Sequence, residues 1–125
     1  IDALAGAPGL ISAHFAGTHG DSTGNIAKVL AEMAVLENPV RTARFYCCMV
    51  LLKHADDPQP LIAEGIWQGE VLDAPLGTEG FGYDPIFWDP ALQVSAAQLP
   101  AELKNRISHR GRALAQLREK LLHRG

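Results

Sequence analysis

A chain of 125 residues with 47% apolar and 20% charged side chains has the size and composition of one globular domain, residues 1–125, with a real hydrophobic core. A net charge of -3 gives no general field for attracting nucleic acid, which argues against long DNA or RNA as a partner; any phosphate binding must come from a local basic cluster. No stretch approaches the roughly 18 apolar residues of a membrane span, and no basic segment followed by an apolar one opens the chain, so a cytoplasmic protein with no membrane partner is expected.

Ile1-Asp2-Ala3-Leu4 reads like the middle or exit of a strand, with no methionine before it, and the chain is therefore expected to lack an N-terminal part. Residues 5–25 have the Gly, Ala, Pro, Ser, Thr and His content of a loop, which ends on the N-cap candidates Asp21, Ser22, Thr23 and Asn25. Ile26, Val29, Leu30, Met33 and Leu36 then recur at three- and four-residue spacings, predicting an amphipathic helix over 24–37 that Asn38-Pro39 closes. Phe45 through Leu52 is an unbroken apolar run that fits a central strand buried on both faces, with Cys47 and Cys48 as reduced core residues. Asp56-Asp57-Pro58 turns the chain into a second strand over 61–72, where Gly65 and Gly69 suggest bulges or close backbone approach. A loop over 73–80 and a short strand at Pro85-Ile86-Phe87-Trp88 follow. From Pro100 onward the chain is predicted helical, with Leu114, Leu117, Leu121 and Leu122 on one face. Ser108 is a cap candidate that would place His109 and Arg110 in the first turn of the last helix.

Two clusters carry possible chemistry. In Gly80-Phe81-Gly82-Tyr83-Asp84-Pro85 an aromatic between glycines lets the backbone approach a flat ligand; by itself the segment reads more readily as a tight turn between strands. Its spacing matches neither a dinucleotide fingerprint nor a phosphate-cradling loop. Lys104-Asn105-Arg106-Ile107-Ser108-His109-Arg110-Gly111 supplies an amine, an imidazole and a guanidinium. Cations near a helix start oppose the helix dipole, so an anionic or oxygen-rich ligand would offset that penalty; a solvated basic turn is the plain alternative. Five scattered histidines show no metal-cage spacing, no Gly-x-Ser-x-Gly elbow is present, and Glu32, Glu37 and Glu64 read as solvated surface.

In this order the motifs resemble the inosine/xanthosine triphosphate pyrophosphatase family. The resemblance runs from Ile1-Asp2-Ala3-Leu4-Ala5-Gly6-Ala7-Pro8-Gly9 through Ser12-Ala13, Ala16-Gly17, Asn25, Lys28, Arg44-Phe45, Gly65, Gly69, Pro75 and Gly77. It continues over Gly80 to Phe87, Glu102 to Asn105 and Ile107 to Leu114. It implies an α/β fold, a mixed central sheet with flanking helices in two lobes, here without its N-terminal part, and a homodimer. It also implies magnesium-dependent hydrolysis of aberrant purine nucleoside triphosphates such as ITP, dITP and XTP to monophosphate and pyrophosphate, by in-line attack of water.

By resemblance, Phe81, Gly82, Tyr83 and Asp84 form part of the base and sugar pocket, with Phe81 stacking on the purine, and Lys104, His109 and Arg110 contact the nucleotide. A donor such as His109 or Arg110 would favour the six-position carbonyl of inosine or xanthosine and be left unpaired against the amine of adenine. The family's phosphate loop, metal-binding acid and catalytic aspartate have counterparts expected before Ile1, so neither a catalytic base nor a metal ligand is assigned within the chain. Asp2 corresponds to the residue that follows the catalytic aspartate, and His14 stands where many members carry arginine. The 125 residues alone are accordingly expected to show little or no activity, the alternative role being that of an inactive nucleotide-binding or dimerisation fragment.

Overall fold

The computed structural model describes residues 1–52, 54–78 and 82–122. It is an α/β chain with α1 (Ser22–Ala34), β1 (Thr42–Leu51), β2 (Leu61–Val71), β3 (Phe87–Asp89), β4 (Val94–Ser95), α2 (Ala101–Ile107) and α3 (His109–Leu122), and with 3-10 segments ahead of α1 (Asp2–Leu4 and Gly9–His14), β3 (Asp84–Ile86) and α2 (Ala96–Gln98). The four strands form one sheet in the order β1-β2-β3-β4. Two compact units emerge: Ile1–Arg44 with Gln68–Leu99, and Phe45–Trp67 with Pro100–Gly125.

In the first unit, α1 starts where the Asp21 carboxylate accepts the Gly24 N–H at 3.0 Å, an N-cap that satisfies one orphan donor of the first turn. Asn25, Val29 and Met33, spaced by four, form its buried face. The helix stops three residues short of the predicted end: the Leu36 N–H reaches back to the Met33 carbonyl, tightening the last turn, and Asn38 takes a left-handed φ of 48°. Leu36 is therefore exposed and does not belong to the apolar face.

β2 and β3 pair antiparallel with Val71 opposite Phe87, and β3 and β4 with Trp88 opposite Ser95. Gly69 permits this packing, since a Cβ there would stand 2.4 Å from the Trp88 carbonyl oxygen. The close approach read from the sequence is thus found, with its partner identified. Phe15, Val29, Met33, Val71, Ile86, Phe87 and Leu99 are the large buried apolar residues described in this unit.

In the second unit, Ala63, Gly65 and Trp67 alternate to the buried side of β2 while Ile62, Glu64 and Ile66 alternate to the exposed side. β1 differs from expectation. It ends the strand order, and Tyr46 (54% exposed), Cys48 and Val50 (56%) face solvent while Phe45, Cys47 and Met49 are half-buried. The two cysteines are free thiols, one half-buried and one exposed, so neither is a core residue. A continuous apolar run of strand length does not report whether both faces are covered, and here one is not.

The last helices also differ from the leucine pattern. A break at Ser108 separates α2 from α3, and Leu114, Leu121 and Leu122 remain exposed while Ala113 is fully buried. The polar residues Arg112, Gln116 and Lys120, one helical turn apart, reach the backbone of β2 instead. Arg112 Nη1 donates to the Ile66 carbonyl at 3.0 Å, Gln116 Oε1 accepts the Glu64 N–H at 2.7 Å, and Lys120 Nζ donates to the Ile62 carbonyl at 2.6 Å. Residues 62, 64 and 66 present their polar groups along one edge of β2, and this stripe caps that edge.

Candidate functional site

The residues expected at the site fall on both units. Gly80 and Phe81 lie outside the described residues, as does His123. Gly82, Tyr83 and Asp84 belong to the first unit; Lys104, His109 and Arg110 belong to the second.

Gly82 has φ of +60° and a Cβ on it would meet nothing within 4 Å, so glycine serves the left-handed backbone at this position, not a lack of space. The turn hands over to Tyr83, the N-cap of a 3-10 helix over Asp84–Ile86 with Pro85 in its first turn. The Ile86 N–H bonds to the Tyr83 carbonyl at 3.0 Å, and the Pro85 carbonyl accepts the Leu76 N–H at 2.8 Å, which fixes the segment against the preceding loop. Asp84 is buried, an expensive place for a carboxylic acid outside a polar role.

Tyr83 is half-buried and its hydroxyl donates to the Ser12 carbonyl oxygen at 2.6 Å. Burial raises the phenol above its ordinary pKa, so the group stays a neutral donor at physiological pH. This contact reaches the loop that carries Ser12-Ala13 and Ala16-Gly17. The same loop is held at two further points. Asn25, buried in α1, accepts the Ala16 N–H at 2.8 Å and donates to the Ala13 carbonyl at 3.1 Å. Lys28 Nζ donates to the Phe15 carbonyl at 2.8 Å and lies 4.3 Å from the centre of the Phe15 ring. His14 and His19 stack with ring centres 6.3 Å apart on the exposed part of that loop.

In the second unit, Ser108 does what its position suggested. Its hydroxyl accepts the Gly111 N–H at 3.1 Å and its carbonyl accepts the Arg112 N–H at 2.9 Å, so α3 begins at His109. The corner between α2 and α3 is tight: a Cβ on Gly111 would stand 2.0 Å from the Asn105 carbonyl oxygen. Lys104 sits in the last turn of α2 and its carbonyl accepts the Ser108 N–H at 2.9 Å. Within this unit, therefore, Lys104, His109 and Arg110 are brought to one helix–helix corner. Arg110 is exposed and His109 is half-buried, with its ring stacked on Phe45 at 4.9 Å and 22°. Sequence reading did not connect Phe45 to the cluster, because an aromatic within an apolar run signals only burial. Nor did it find the bond from Tyr83 to Ser12, whose acceptor is a main-chain oxygen without a sequence signature.

The arrangement offers two sets of hydrogen-bonding groups on rigid supports, one around Tyr83 and Asp84, the other at the start of α3. Known proteins carry the same chain pattern. The model of the Ham1 family matches residues 1–120. A dITP/XTP pyrophosphatase of Xylella fastidiosa (strain 9a5c) is 57% identical over 119 residues, covering 95% of this chain and 60% of the relative. One from Xanthomonas campestris pv. campestris (strain 8004) is 54% identical over 121 residues, covering 97% and 61%. Among solved structures, a HAM1 protein from Coxiella burnetii superposes with a TM-score of 0.93 at 44% identity, covering 98% of this chain and 62% of that one. The Staphylococcus aureus Ham1 protein does so with a TM-score of 0.89 at 36% identity, covering 99% and 62%. This chain thus spans about three-fifths of the length of the relatives it matches, 60% and 61% of the two pyrophosphatases. With a family match over nearly every residue, the chain belongs to the Ham1 family.

Proposed function

We propose that the protein serves the magnesium-dependent hydrolysis of noncanonical purine nucleoside triphosphates, ITP, dITP and XTP, to the monophosphate and pyrophosphate, with this chain supplying base recognition. The observation that carries the reading is the 57% identity to a protein named for dITP and XTP. In this reading Phe81 stacks on the purine, and Gly82, Tyr83 and Asp84 line the base and sugar. Lys104, His109 and Arg110 contact the nucleotide, and a donor from His109 or Arg110 meets the six-position oxygen. An adenine amine in the same place would leave that donor facing another donor, which costs about 1–3 kcal/mol for a desolvated group.

Magnesium belongs to this reading as the cofactor of the whole reaction, where it would offset phosphate charge. Among the described residues no three His, Cys, Asp or Glu side chains are grouped so that they could together hold a metal ion. A homodimer is part of the same proposal. Also among the described residues, no helix is long and apolar enough to cross a membrane.

The test is incubation with ITP and magnesium, following pyrophosphate release, beside calorimetric titration with ITP and ATP. Tighter binding of ITP than of ATP supports base recognition by this chain, and pyrophosphate release would add catalysis to it. Binding without release supports the second reading, a nucleotide-binding or dimerisation fragment. Equal affinity for ITP and ATP would defeat base recognition.

A further inference from the structure

We infer that Phe45 is a positioning residue for purine recognition, acting through His109, whose imidazole it holds in one plane. The inference rests on the reading of His109 as a group that contacts the base.

The rings of Phe45 and His109 lie 4.9 Å apart, centre to centre, and 22° from parallel, within the range where aromatic pairs attract beyond their buried area. Phe45 is itself supported from the other strand of the hairpin by Trp67, at 5.9 Å and 40°, and Trp67 is among the largest fully buried side chains of the protein. The order Trp67, Phe45, His109 is thus a packed column that runs from the interior to the helix corner.

The backbone of His109 is clamped separately. Gly65 brings β2 so close that a Cβ would stand 1.9 Å from the His109 carbonyl oxygen, and the Ser108 cap fixes where α3 begins. With the backbone held, the remaining freedom of the imidazole is rotation about its side-chain bonds, and the outer torsion of a histidine has a broad two-fold well. A flat ring against one face of the imidazole narrows that well, so the ring nitrogens point along one fixed plane. A hydrogen bond to a base oxygen depends on that direction. The stack covers one face of the imidazole and sets the plane in which its nitrogens lie, whereas an aliphatic side chain in place of Phe45 would fill the volume without defining the plane.

The experiment compares affinities for ITP and ATP in the wild type, Phe45→Leu, Phe45→Tyr, His109→Ala and the double variant, by calorimetry, with thermal unfolding and histidine NMR on each. Phe45→Leu is expected to lower the ITP/ATP preference about tenfold, the scale of an aromatic pair, while Phe45→Tyr, which keeps the ring face, stays within about twofold of wild type. On the His109→Ala background, Phe45→Leu should change the preference no further. The carbon-bound protons of the His109 ring should lie upfield in wild type through the ring current of Phe45 and return downfield in Phe45→Leu. Should Phe45→Leu fail to fold, Phe45→Met takes its place, and wild-type imidazole protons without an upfield shift are sufficient to overturn the stack. An unchanged preference in a folded Phe45→Leu, or an effect that simply adds to that of His109→Ala, overturns the inference while leaving base recognition intact. If His109→Ala also leaves the preference unchanged, base recognition by this group fails, and the inference with it.

Discussion

Gly65 and His109 meet at a distance that permits only glycine: a methyl group on Gly65 would stand 1.9 Å from the His109 carbonyl oxygen and 2.5 Å from the Ala113 nitrogen. Both neighbours are main-chain atoms of α3 and cannot rotate aside. Gly65→Ala should therefore lift the start of α3 off the strand. A cost of about 2–3 kcal/mol is expected, in the range for an overpacked core. Urea unfolding measures it, and a loss of less than about 0.5 kcal/mol, the scatter of neutral surface changes, would show that the helix is free to move.

The polar stripe on α3 supports a second prediction. Arg112, Gln116 and Lys120 cap the Ile66 carbonyl, the Glu64 N–H and the Ile62 carbonyl, so one edge of β2 offers these groups to side chains and not to another strand. Each bond is near solvent and contributes about 1 kcal/mol or less. Replacing all three by alanine should cost only modest stability yet expose a strand edge that carries Ile62 and Ile66. Light scattering at raised concentration should show association of the triple variant under conditions where wild type remains dispersed. If the variant stays as dispersed as wild type, the stripe has no protective role.

How much of this could be read from residues alone differs by element. Helix α1 was legible because its periodicity and its Asp21 cap agree; it starts two residues earlier than predicted, at Ser22, and ends three earlier, at Ala34, ahead of the Asn38-Pro39 stop signal. Gly65 and Gly69 were legible as places of close approach, though not their partners, since the approach is set by tertiary packing. The exposure of Tyr46 and Val50 was not legible, because burial of a strand face depends on what covers it. Helix α3 misled for the opposite reason: Leu114, Leu121 and Leu122 are the conspicuous residues, while its contact with β2 is made by a small Ala113 and by long polar side chains. At the candidate site, the cap at Ser108 was predictable from its residue type, but the stack of Phe45 on His109 joins two segments distant in the chain.

Tyr83 gives a pH dependence with a definite sign. Burial raises its phenol above the ordinary value of about 10, so the folded protein holds this proton more tightly than the unfolded chain does. The associated stability is present in full below the unfolded pKa and is lost as pH rises through the higher folded one, when the hydroxyl can no longer donate to the Ser12 carbonyl. Urea midpoints from pH 8 to 11 should fall more steeply for wild type than for Tyr83→Phe above a pH of about 10. Parallel curves would show that this proton is not linked to folding.

With His109 and Arg110 read as the proposed nucleotide contacts, the Ser108 cap would couple the stability of α3 to nucleotide binding. Its hydroxyl satisfies the Gly111 N–H, one of the orphan donors at the helix start, and it is buried, so water cannot readily replace it. The adjoining Arg110 places positive charge in the first turn, where the helix dipole already presents its positive end, which makes this terminus dependent on its cap. Ser108→Ala should cost about 1 kcal/mol or somewhat more of stability. Fraying of the first turn would carry His109 and Arg110 with it, so affinity for ITP should fall by a larger factor than affinity for inorganic triphosphate. Ser108→Thr keeps an acceptor oxygen and should restore most of both. The measurements are thermal unfolding and calorimetric titration of the three proteins with ITP and with triphosphate. An alanine variant that unfolds earlier but binds ITP as tightly as wild type would show that the cap serves the helix alone.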